Sequence, residues 1–459
     1  MVYGYGDTVA AVSTAYGKGG IAVIRISGEH ALEIAEKIFL PKGKKALRDV
    51  PSATALYGDI LKDGQVIDDG ILTIFRAPRS FTGEDTAEIS CHGGILLTKR
   101  VLEAAFAAGA RPAQAGEFSK RAFLNGKLTL TGAEAVIDLI NAENDRQLKL
   151  ASANSRGRLT KKTGEIYNAL AGLLASVYVY TDYPDEDLTD LSSEEFKEGL
   201  LEIRAQLQRL LNSYKAGRAV MEGIPTAIVG KPNTGKSSLL NLLLGKDRAI
   251  VSDVAGTTRD TIEESALLGS VTLRLCDTAG IHGTADAVEA MGIERSLEKL
   301  DAAELIFAVF DLGRPFDAED RLLVEKLKEK SCPVIALLNK CDLSPCFDVT
   351  ALPKEFIPIT MSTKSALPPE LEGTVERLFE TDKLNYDEDA VLTGARQANA
   401  ASRALALLDS AIEALDMGIS RDIAALDAEQ AMAEIAEIDG QAVGEDIVSA
   451  IFSRFCVGK

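Results

Sequence analysis

Residues 224–238 of this 459-residue chain read IPTAIVGKPNTGKSS, and no other run says as much about the architecture. The first six residues are typical of a buried strand, and a helical pattern begins at Ser238. The loop between them has the spacing GxxxxGKS, whose backbone N–H groups can close around phosphates. Lys236 can then reach the β- and γ-phosphate oxygens, and the Ser237 hydroxyl can bind magnesium. This run predicts a Ras-like P-loop domain with a doubly wound, mostly parallel sheet.

A second predicted strand, at residues 271–276, ends in a loop that fits the γ-phosphate. The loop reads DTAG, and its Asp277 carboxylate can hold the metal through water while the Gly280 N–H contacts the phosphate. The next residue, Ile281, stands where many small GTP-hydrolysing proteins carry a glutamine that orients the attacking water. Because isoleucine cannot do this, hydrolysis needs another water-positioning group and another positive charge.

A third predicted strand, at residues 334–338, ends in the loop NKCD. The Asp342 carboxylate can accept two N–H groups of guanine that adenine lacks, so the predicted nucleotide is GTP. A threonine of residues 256–260 would complete the magnesium shell, and residues 362–364 would lie against the base. The candidate GTP-binding residues are Asn233, Thr234, Gly235, Lys236, Ser237, Ser238, Ser252, Asp253, Val254, Ala255, Gly256, Thr257, Thr258, Asp277, Thr278, Ala279, Gly280, Asn339, Lys340, Asp342, Ser362, Thr363 and Lys364.

The composition narrows the class of protein. The chain is 46% hydrophobic and 26% charged, with a formal net charge of -19. Such acidity argues against a large nucleic-acid surface, although a local basic pocket or a partner protein could supply one. The six cysteines are scattered without zinc spacing, and neither a leader nor an apolar run of about 18 residues is visible. We therefore expect reduced thiols, no membrane span and a cytoplasmic location.

The sequence pattern changes three times along the chain. Short β-rich runs, among them a strand predicted at residues 70–75, share residues 1–124 with helical patterns. Helical spacing fills residues 125–222 apart from an acidic loop predicted at residues 180–193. Strands and helices alternate over residues 223–385, and helical spacing returns over residues 386–459. The predicted fold is an N-terminal α/β domain followed by a helical domain into which the nucleotide domain is inserted. A separate C-terminal domain is the alternative.

Further motifs extend the pattern beyond the nucleotide loops. They are GGIAVIRISG at 19–28, SFTGED at 80–85, HGG at 92–94, GEFS at 116–119, AFLNGK at 122–127 and FCVGK at 455–459. By these motifs, which together with the GTP loops run through the whole chain, the sequence resembles the MnmE (TrmE) family of tRNA-modifying GTPases. A terminal Cys-x-Gly-Lys joined to a GTP-binding domain within helices is highly specific.

The resemblance implies a GTPase that potassium activates when two GTP-binding domains meet, the ion standing in for an arginine finger. The implied potassium ligands are Asn233, Ser252, Val254 and Thr257, and the implied magnesium ligands are Ser237 and Thr258. Glu289 matches the glutamate that orients the catalytic water. It would therefore be the water-positioning group that Ile281 cannot provide. A solvated helix residue is the alternative interpretation of Glu289.

The resemblance also implies that the N-terminal domain binds 5-formyl- or 5,10-methylene-tetrahydrofolate and forms a homodimer. The implied folate contacts are Arg25, Glu88, Lys127 and Lys459. A carboxylate can pair with the N–H groups of the pterin and cations suit its glutamate tail, whereas surface ion pairs are the alternative. Cys456 is implied as a nucleophile or a group held near the folate carbon. A small apolar residue on the last helix is the alternative for Cys456.

The activity that the resemblance implies is the modification of transfer RNA. With the FAD-containing protein MnmG, in a heterotetramer, the chain would install an aminomethyl or carboxymethylaminomethyl group at C5 of the wobble uridine of certain tRNAs. GTP hydrolysis would time the chemistry through opening and closing of the GTP-binding domains. Two alternatives are a ribosome-assembly GTPase, which predicts a Lys- and Arg-rich appendage that this acidic chain lacks, and a regulatory switch that ignores folate.

Overall fold

The structure is a computed structural model that describes residues 6–43, 47–182, 192–245, 249–250, 264–275, 302–441, 445–453, 455 and 457–458. The chain divides into two compact units. The first unit consists of residues 1–140, 151–206 and 399–459, and the second of residues 141–150 and 207–398. The domain boundaries that the sequence predicts after residues 124, 222 and 385 stay predictions.

Seven strands form the described sheet of the first unit. They are β1 (Val9–Val12), β2 (Ile21–Ser27), β3 (Phe39–Pro41), β4 (Thr54–Lys62), β5 (Gln65–Phe75), β6 (Thr86–His92) and β7 (Arg111–Pro112). They lie in the order β3-β4-β5-β6-β2-β1-β7. Neighbours pair antiparallel except β1 and β7, which are parallel. A mainly antiparallel sheet of this kind can leave one face open.

Two helices cover one face of this sheet, α1 (Ala31–Ile38) and α2 (Ile95–Ala107). Alternate strand residues, such as Ile24 of β2, are fully buried in the core that the helices form with the sheet. Because successive strand side chains point to opposite faces, Arg25 of β2 and Glu88 of β6 lie on the other face. The opposite face therefore carries two of the candidate folate residues.

Helix α3 (Glu117–Leu124) packs on part of that opposite face. Its Phe118 is fully buried in a small apolar cluster with Val9 and Ala11 of β1. The face is thus covered beside β1 and more open toward β4 and β5, where Tyr57 stays exposed.

Four long or medium helices follow. They are α4 (Leu130–Asn141), α5 (Asp145–Ser155), α6 (Arg158–Asp182) and α7 (Ser193–Met221). Apolar residues of α7 that recur at helical spacing, including Leu200, Ile203 and Leu207, are buried as the pattern predicts. Helix α6 continues to Asp182 and α7 begins at Ser193, so the acidic loop predicted at residues 180–193 is wrong for residues 180–182 and for residue 193. Residues 183–191 of that loop lie outside the described residues.

Seven strands form the described sheet of the second unit. They are β8 (Ile224–Val229), β9 (Ala249–Ile250), β10 (Glu264–Leu268), β11 (Val271–Leu275), β12 (Leu305–Asp311), β13 (Val334–Asn339) and β14 (Ile357–Thr360). The order is β14-β13-β12-β8-β11-β10-β9. The five strands from β14 to β11 are parallel, and β10 and β9 continue the sheet antiparallel.

Helices cover both faces of this second sheet. Helices α8 (Lys236–Leu243) and α10 (Pro369–Leu378) contribute to one apolar core, and α9 (Ala318–Lys328) contributes to the core on the opposite face. All seven residues of β12 are buried between the two cores. The carboxyl ends of β8, β12, β13 and β14 therefore meet at one edge, where ligands bind in such sheets.

Three further helices follow in the chain, α11 (Ala395–Asp416), α12 (Arg421–Ile438) and α13 (Glu445–Phe452). Helix α12 packs along α6, and the buried Asp439 that follows it accepts hydrogen bonds from Thr160 at 2.9 Å and Thr163 at 2.5 Å. Helix α13 packs against α3, where the Phe452 and Phe123 rings lie 6.2 Å apart. The last helices are therefore fastened to the first unit.

The predicted fold class is confirmed. The chain combines an N-terminal α/β part, long helices on both sides of the nucleotide domain in sequence, and a doubly wound, mostly parallel sheet. None of the helices in the described part of the chain combines the length and apolar character needed to cross a bilayer.

Candidate functional site

The phosphate loop joins β8 to α8 and is shaped by two glycines. Gly230 has a φ of 153° and Gly235 a φ of 107°, values that side chains rarely tolerate. A Cβ atom at Gly230 would meet the Val309 carbonyl, and one at Gly235 would meet the side-chain amide of Asn339. Glycine at both positions therefore keeps the loop closed around a space that a phosphate can enter.

Lys236 begins α8 and folds back over this loop. Its Nζ donates a hydrogen bond of 2.7 Å to the Lys231 carbonyl, and Thr234 Oγ1 donates one of 2.9 Å to the same oxygen. Burial lowers the pKa of Lys236 because it disfavours the charged ammonium, and a nearby anion would stabilise the ammonium again. Ser237 follows on the exposed first turn of α8. An ammonium, a hydroxyl and the N–H groups of a helix start are a donor set that fits a magnesium-bound triphosphate.

Asn339 ends β13 and links three loops of the site. Its buried side chain donates from Nδ2 to the Thr234 carbonyl at 2.7 Å and accepts the Thr363 N–H at 2.9 Å on Oδ1. These bonds fix the phosphate loop, the NKCD loop and residues 362–364 to one another. The base site and the phosphate site are thus joined by one buried amide.

Lys340 makes a second link between the base loop and the phosphate loop. Its Nζ lies 2.8 Å from the Asn233 carbonyl and 2.6 Å from Oδ2 of the buried Asp311. Asn233 and Lys340 both have a φ of 65°, a left-handed conformation that persists where the surroundings fix it.

Asp342 presents the carboxylate that the sequence assigns to guanine. Oδ1 accepts a 2.8 Å hydrogen bond from Ser362 Oγ, and Oδ2 lies 2.7 Å from Lys364 Nζ. The bonds from Lys364 and Ser362 hold the pKa of Asp342 below its usual range. Each carboxylate oxygen has two lone pairs, so both can also accept an N–H of the base. The group is therefore charged and oriented.

The structure brings together twelve of the candidate GTP-binding residues at the edge where β8, β13 and β14 end. They are Asn233, Thr234, Gly235, Lys236, Ser237, Ser238, Asn339, Lys340, Asp342, Ser362, Thr363 and Lys364. The other candidates lie outside the described residues. These are Ser252, Asp253, Val254, Ala255, Gly256, Thr257, Thr258, Asp277, Thr278, Ala279, Gly280 and the candidate catalytic residue Glu289. The individual roles of both groups stay predictions.

The sequence motifs do not point to three acidic residues at the same edge, Asp311, Asp317 and Asp320. Asp311 carries a signal that could have been used, because it ends a buried strand just as Asn339 ends the next strand in the sheet. Asp317 and Asp320 cap α9 and resemble ordinary acidic residues at a helix start. Their link to the phosphate loop becomes visible only in three dimensions.

Arg25 is the centre of a second cluster, on the open face of the N-terminal sheet. Its Nε donates to Glu88 Oε1 at 2.8 Å, and its guanidinium carbon lies 5.3 Å from the ring centre of Phe81 and 5.5 Å from that of Phe118. Within the ranges that the structure describes, its two terminal nitrogens have no hydrogen-bond partner. The arginine is thus held by an acid and two rings, with donors left for a ligand.

Lys127 approaches the loop that carries Phe81. Its Nζ donates to the Pro78 carbonyl at 3.0 Å, and its side-chain carbons lie beside Gly83. The structure therefore joins Arg25 and Glu88 directly and places Lys127 on the neighbouring loop. The remaining candidates of this site, Lys459 and Cys456, lie outside the described residues.

The last described residues of the chain dock beside β1. Ser13 Oγ donates to the Gly458 carbonyl at 3.0 Å, and Val457 forms an antiparallel bridge with Ala115. Gly458 has a φ of 102°, and a Cβ atom there would meet the Val12 carbonyl. This close approach explains why the terminal motif carries a glycine.

A buried ion network supports the aromatic rings around the arginine. Arg121 of α3 is 1% exposed and lies 3.0 Å from Glu84, 2.9 Å from Glu117 and 2.7 Å from Asp7. Burial alone would lower the pKa of Arg121, but these carboxylates outweigh it and raise the pKa. The network ties α3 to the loop before β6, and each of these segments supplies one of the two rings.

His92 ends β6 beside an aspartate. Its Nδ1 lies 2.8 Å from Asp68 Oδ1, and its backbone N–H donates to Oδ2 at 2.9 Å. The hydrogen bond to Asp68 raises the pKa of His92. The imidazole is exposed, so the pair orients the ring without burying it.

The doubly wound sheet, the phosphate loop and the NKCD loop joined to it define the class of this protein, a P-loop GTPase. The particular family follows from known proteins. Residues 8–127 match the family described as GTP-binding protein TrmE N-terminus, and residues 130–456 match the one described as MnmE helical domain. The chain belongs to the MnmE (TrmE) family of tRNA modification GTPases.

Curated relatives support membership of this family over the full length of the chain. The chain is 40% identical over 459 residues to tRNA modification GTPase MnmE of Acetivibrio thermocellus and 40% identical over 457 residues to that of Clostridioides difficile. In both comparisons the match covers 99% of each chain. A solved structure of Era from Aquifex aeolicus is 27% identical over 40% of this chain and 66% of its own, with a TM-score of 0.25 that establishes no common overall fold.

Proposed function

We propose that this GTPase is stimulated by potassium and modifies transfer RNA with an FAD-dependent partner of the MnmG type. The product is an aminomethyl or carboxymethylaminomethyl group at C5 of the wobble uridine of certain tRNAs, and its one-carbon unit comes from a tetrahydrofolate. The protein works in the cytoplasm as a homodimer that joins its partner in a heterotetramer. The relatives named tRNA modification GTPase support this proposal.

One observation carries the modification half of the proposal. The chain places the Arg25 and Glu88 pair, with Lys127 on the neighbouring loop, inside the region that matches the TrmE N-terminus. A regulatory switch that ignores folate would not need such a cluster. Its donor set fits a folate, because Glu88 can accept pterin N–H groups while the cations suit a glutamate tail.

The GTP site supports hydrolysis through residues that are already in position. The Lys236 ammonium lies over the phosphate loop, and Asn339 links that loop to the base loop. Asp342, oriented by Ser362, would accept the N–H groups of guanine. Magnesium would be held by Ser237 and Thr258, potassium by Asn233, Ser252, Val254 and Thr257, and water would be oriented by Glu289. When bound, the two cations would balance the negative charge that develops on the phosphoryl oxygens.

The substrate proposal is tested by mass spectrometry of wobble nucleosides. We expect cells without this protein to lack the modified uridine and to regain it with the wild-type gene. Unmodified uridine is expected to persist with Cys456→Ser, while that variant keeps its GTP turnover in potassium. Unchanged nucleosides in the deletion strain would remove the tRNA proposal and leave the GTPase intact.

The folate proposal is tested by calorimetric titration with 5-formyltetrahydrofolate. Arg25→Gln should weaken binding by about tenfold or more, because it removes a charge-assisted contact worth about 1.5–3 kcal/mol. Arg100→Gln changes an exposed arginine of α2 in the same unit and is the matched control. Equal affinity in both variants would contradict the assignment of the arginine.

A further inference from the structure

Lys231, the second residue of the phosphate loop, directs its ammonium to the start of α9. Its Nζ lies 2.6 Å from Asp317 Oδ2 and 2.8 Å from Asp320 Oδ2, and its side chain is only 15% exposed. Burial alone would lower the pKa of Lys231, but the bonds to both carboxylates outweigh it and raise the pKa. The loop is thus attached to the start of α9 by a charged, partly desolvated contact.

The acidic partners are themselves fixed. Asp317 is the N-cap of α9, and its Oδ1 accepts the N–H groups of Glu319 and Asp320 at 3.0 and 3.1 Å. Asp320 closes the reciprocal bond by accepting the Asp317 N–H at 3.2 Å, and it is buried. A capping box of this kind holds both carboxylates in place before the lysine binds them. The ammonium therefore contacts a rigid element rather than two mobile side chains.

The attached residue controls the shape of the loop that follows. The Lys231 carbonyl accepts both Lys236 Nζ and Thr234 Oγ1, so it closes the turn that contains Asn233. Asn233 itself is held in a left-handed conformation, with a φ of 65° and its carbonyl bound by Lys340. Such a conformation lasts only while the surrounding contacts maintain it.

We propose that Lys231 is a positioning residue for Asn233, and that it acts through Asp317 and Asp320. The ion pair anchors one end of the turn and Lys340 anchors the other, so the Asn233 side chain is presented at a constant place beside the phosphates. This inference rests on the proposed potassium stimulation, in which Asn233 is a ligand of the ion. It adds an anchor that lies outside the nucleotide-binding set.

The test is GTP turnover as a function of potassium concentration, at constant ionic strength, with GDP affinity measured in parallel. Lys231→Met keeps the backbone carbonyl that Lys236 uses. It should raise the half-maximal potassium concentration by about tenfold while GDP affinity changes by less than about threefold. Lys231→Arg should restore the wild-type potassium response because it can reach the same carboxylates.

Two further variants separate positioning from folding. Asp317→Asn retains a good N-cap and should shift the potassium response in the same direction by less, since Asp320 still binds the lysine. Lys328→Met changes an exposed lysine at the other end of α9 and should leave the response unchanged. A Lys231→Met protein with the wild-type half-maximal potassium concentration would overturn the inference, even if it melts earlier. Wild-type turnover that is equal in sodium and potassium would instead overturn the proposed function.

Discussion

The two sheets of this molecule carry their candidate residues in different places. In the second unit every residue of β12 is buried, whereas β2 of the first unit alternates buried and partly exposed residues. A parallel sheet with helices on both faces has no open face, so its polar groups gather in loops beyond the strand ends. The mainly antiparallel sheet keeps a face on which Arg25 and Glu88 stand within the strands themselves.

This difference determines what holds each site in place. Loop residues depend on bonds between loops, and Asn339 and Lys340 provide them in the nucleotide site. Strand residues take their spacing from the sheet, where Arg25 and Glu88 are direct neighbours on β2 and β6. We therefore expect single substitutions to affect ligand recognition most in the nucleotide loops and stability most in the ion network between α3 and the N-terminal sheet.

The largest effect on ligand binding is expected from Asp342→Asn. The amide would turn an N–H toward the guanine N–H groups, so GTP affinity should fall by about 100-fold or more and xanthosine triphosphate should bind better than GTP. Fluorescence titration with both nucleotides measures the change. Asp387→Asn, an exposed acid of the same unit, should bind GTP as the wild type does. Retained preference for GTP in Asp342→Asn would show that recognition does not depend on this loop.

The largest effect on stability is expected from the buried ion network of α3. Arg121→Met removes the cation that pairs with the buried Glu84 and leaves Glu117 with Arg111 alone. The first unit should therefore lose about 3–5 kcal/mol of unfolding free energy. Urea unfolding, monitored by hydrogen exchange of the amides in β2 and α3, measures the loss of unfolding free energy. Arg100→Met, on the exposed side of α2, should change stability by less than about 0.5 kcal/mol. Similar losses in both variants would remove the special role of the buried network.

Two glycine substitutions should change the free energy of unfolding in opposite directions. Gly235→Ala forces a side chain onto a φ of 107° and against Asn339, so it should cost about 1–3 kcal/mol and weaken GTP binding. Gly172→Ala lies within α6 with open space around its Cβ position, so it should stabilise the protein by up to about 1 kcal/mol. Thermal unfolding without GDP measures the stability of each variant, and the added stability in GDP measures its nucleotide binding. Stabilisation by both substitutions would contradict the described loop.

The smallest effect concerns the open face. The hydrogen bond to Asp68 raises the pKa of His92, so the stability it adds is fully present below the ordinary histidine pKa and fades as pH rises through the raised value. In NMR titration, Asp68→Asn should lower the pKa of His92. Asp49→Asn, an exposed acid of the same unit, should leave it unchanged. An unchanged pKa in Asp68→Asn would show that the pair does not persist in solution.

The sequence predicts β8 and β13 of the nucleotide domain well because these strands are largely apolar and are followed by loops of fixed spacing. The strand predicted at residues 224–229 coincides with β8, and the one at 334–338 ends a residue before β13 does. In the N-terminal sheet the strand predicted at residues 70–75 begins too late, since β5 starts at Gln65. The missed part contains Asp68 and Asp69, whose polar side chains conceal a strand with an open face.

The contacts that hold both sites together could not be predicted from local patterns. Arg121 looks like an exposed helix residue in the sequence, yet it is buried where Asp7 and Glu84 from two other segments join Glu117 of its own helix. Lys231 meets Asp320, which lies 89 positions later in the chain. Periodicity reports which face of an element is buried but not which charged groups meet across elements.

The contact between Ser13 and Gly458 spans 445 positions of the chain. During translation the first strands leave the ribosome long before the residue that docks beside them exists, and the whole second unit is made in the interval. Until then the end of β1 in the nascent N-terminal sheet lacks its contact with residues 457–458. Closing so long a loop carries an entropic cost that later packing has to offset. The first unit can therefore complete its folding only after the second unit has been synthesised.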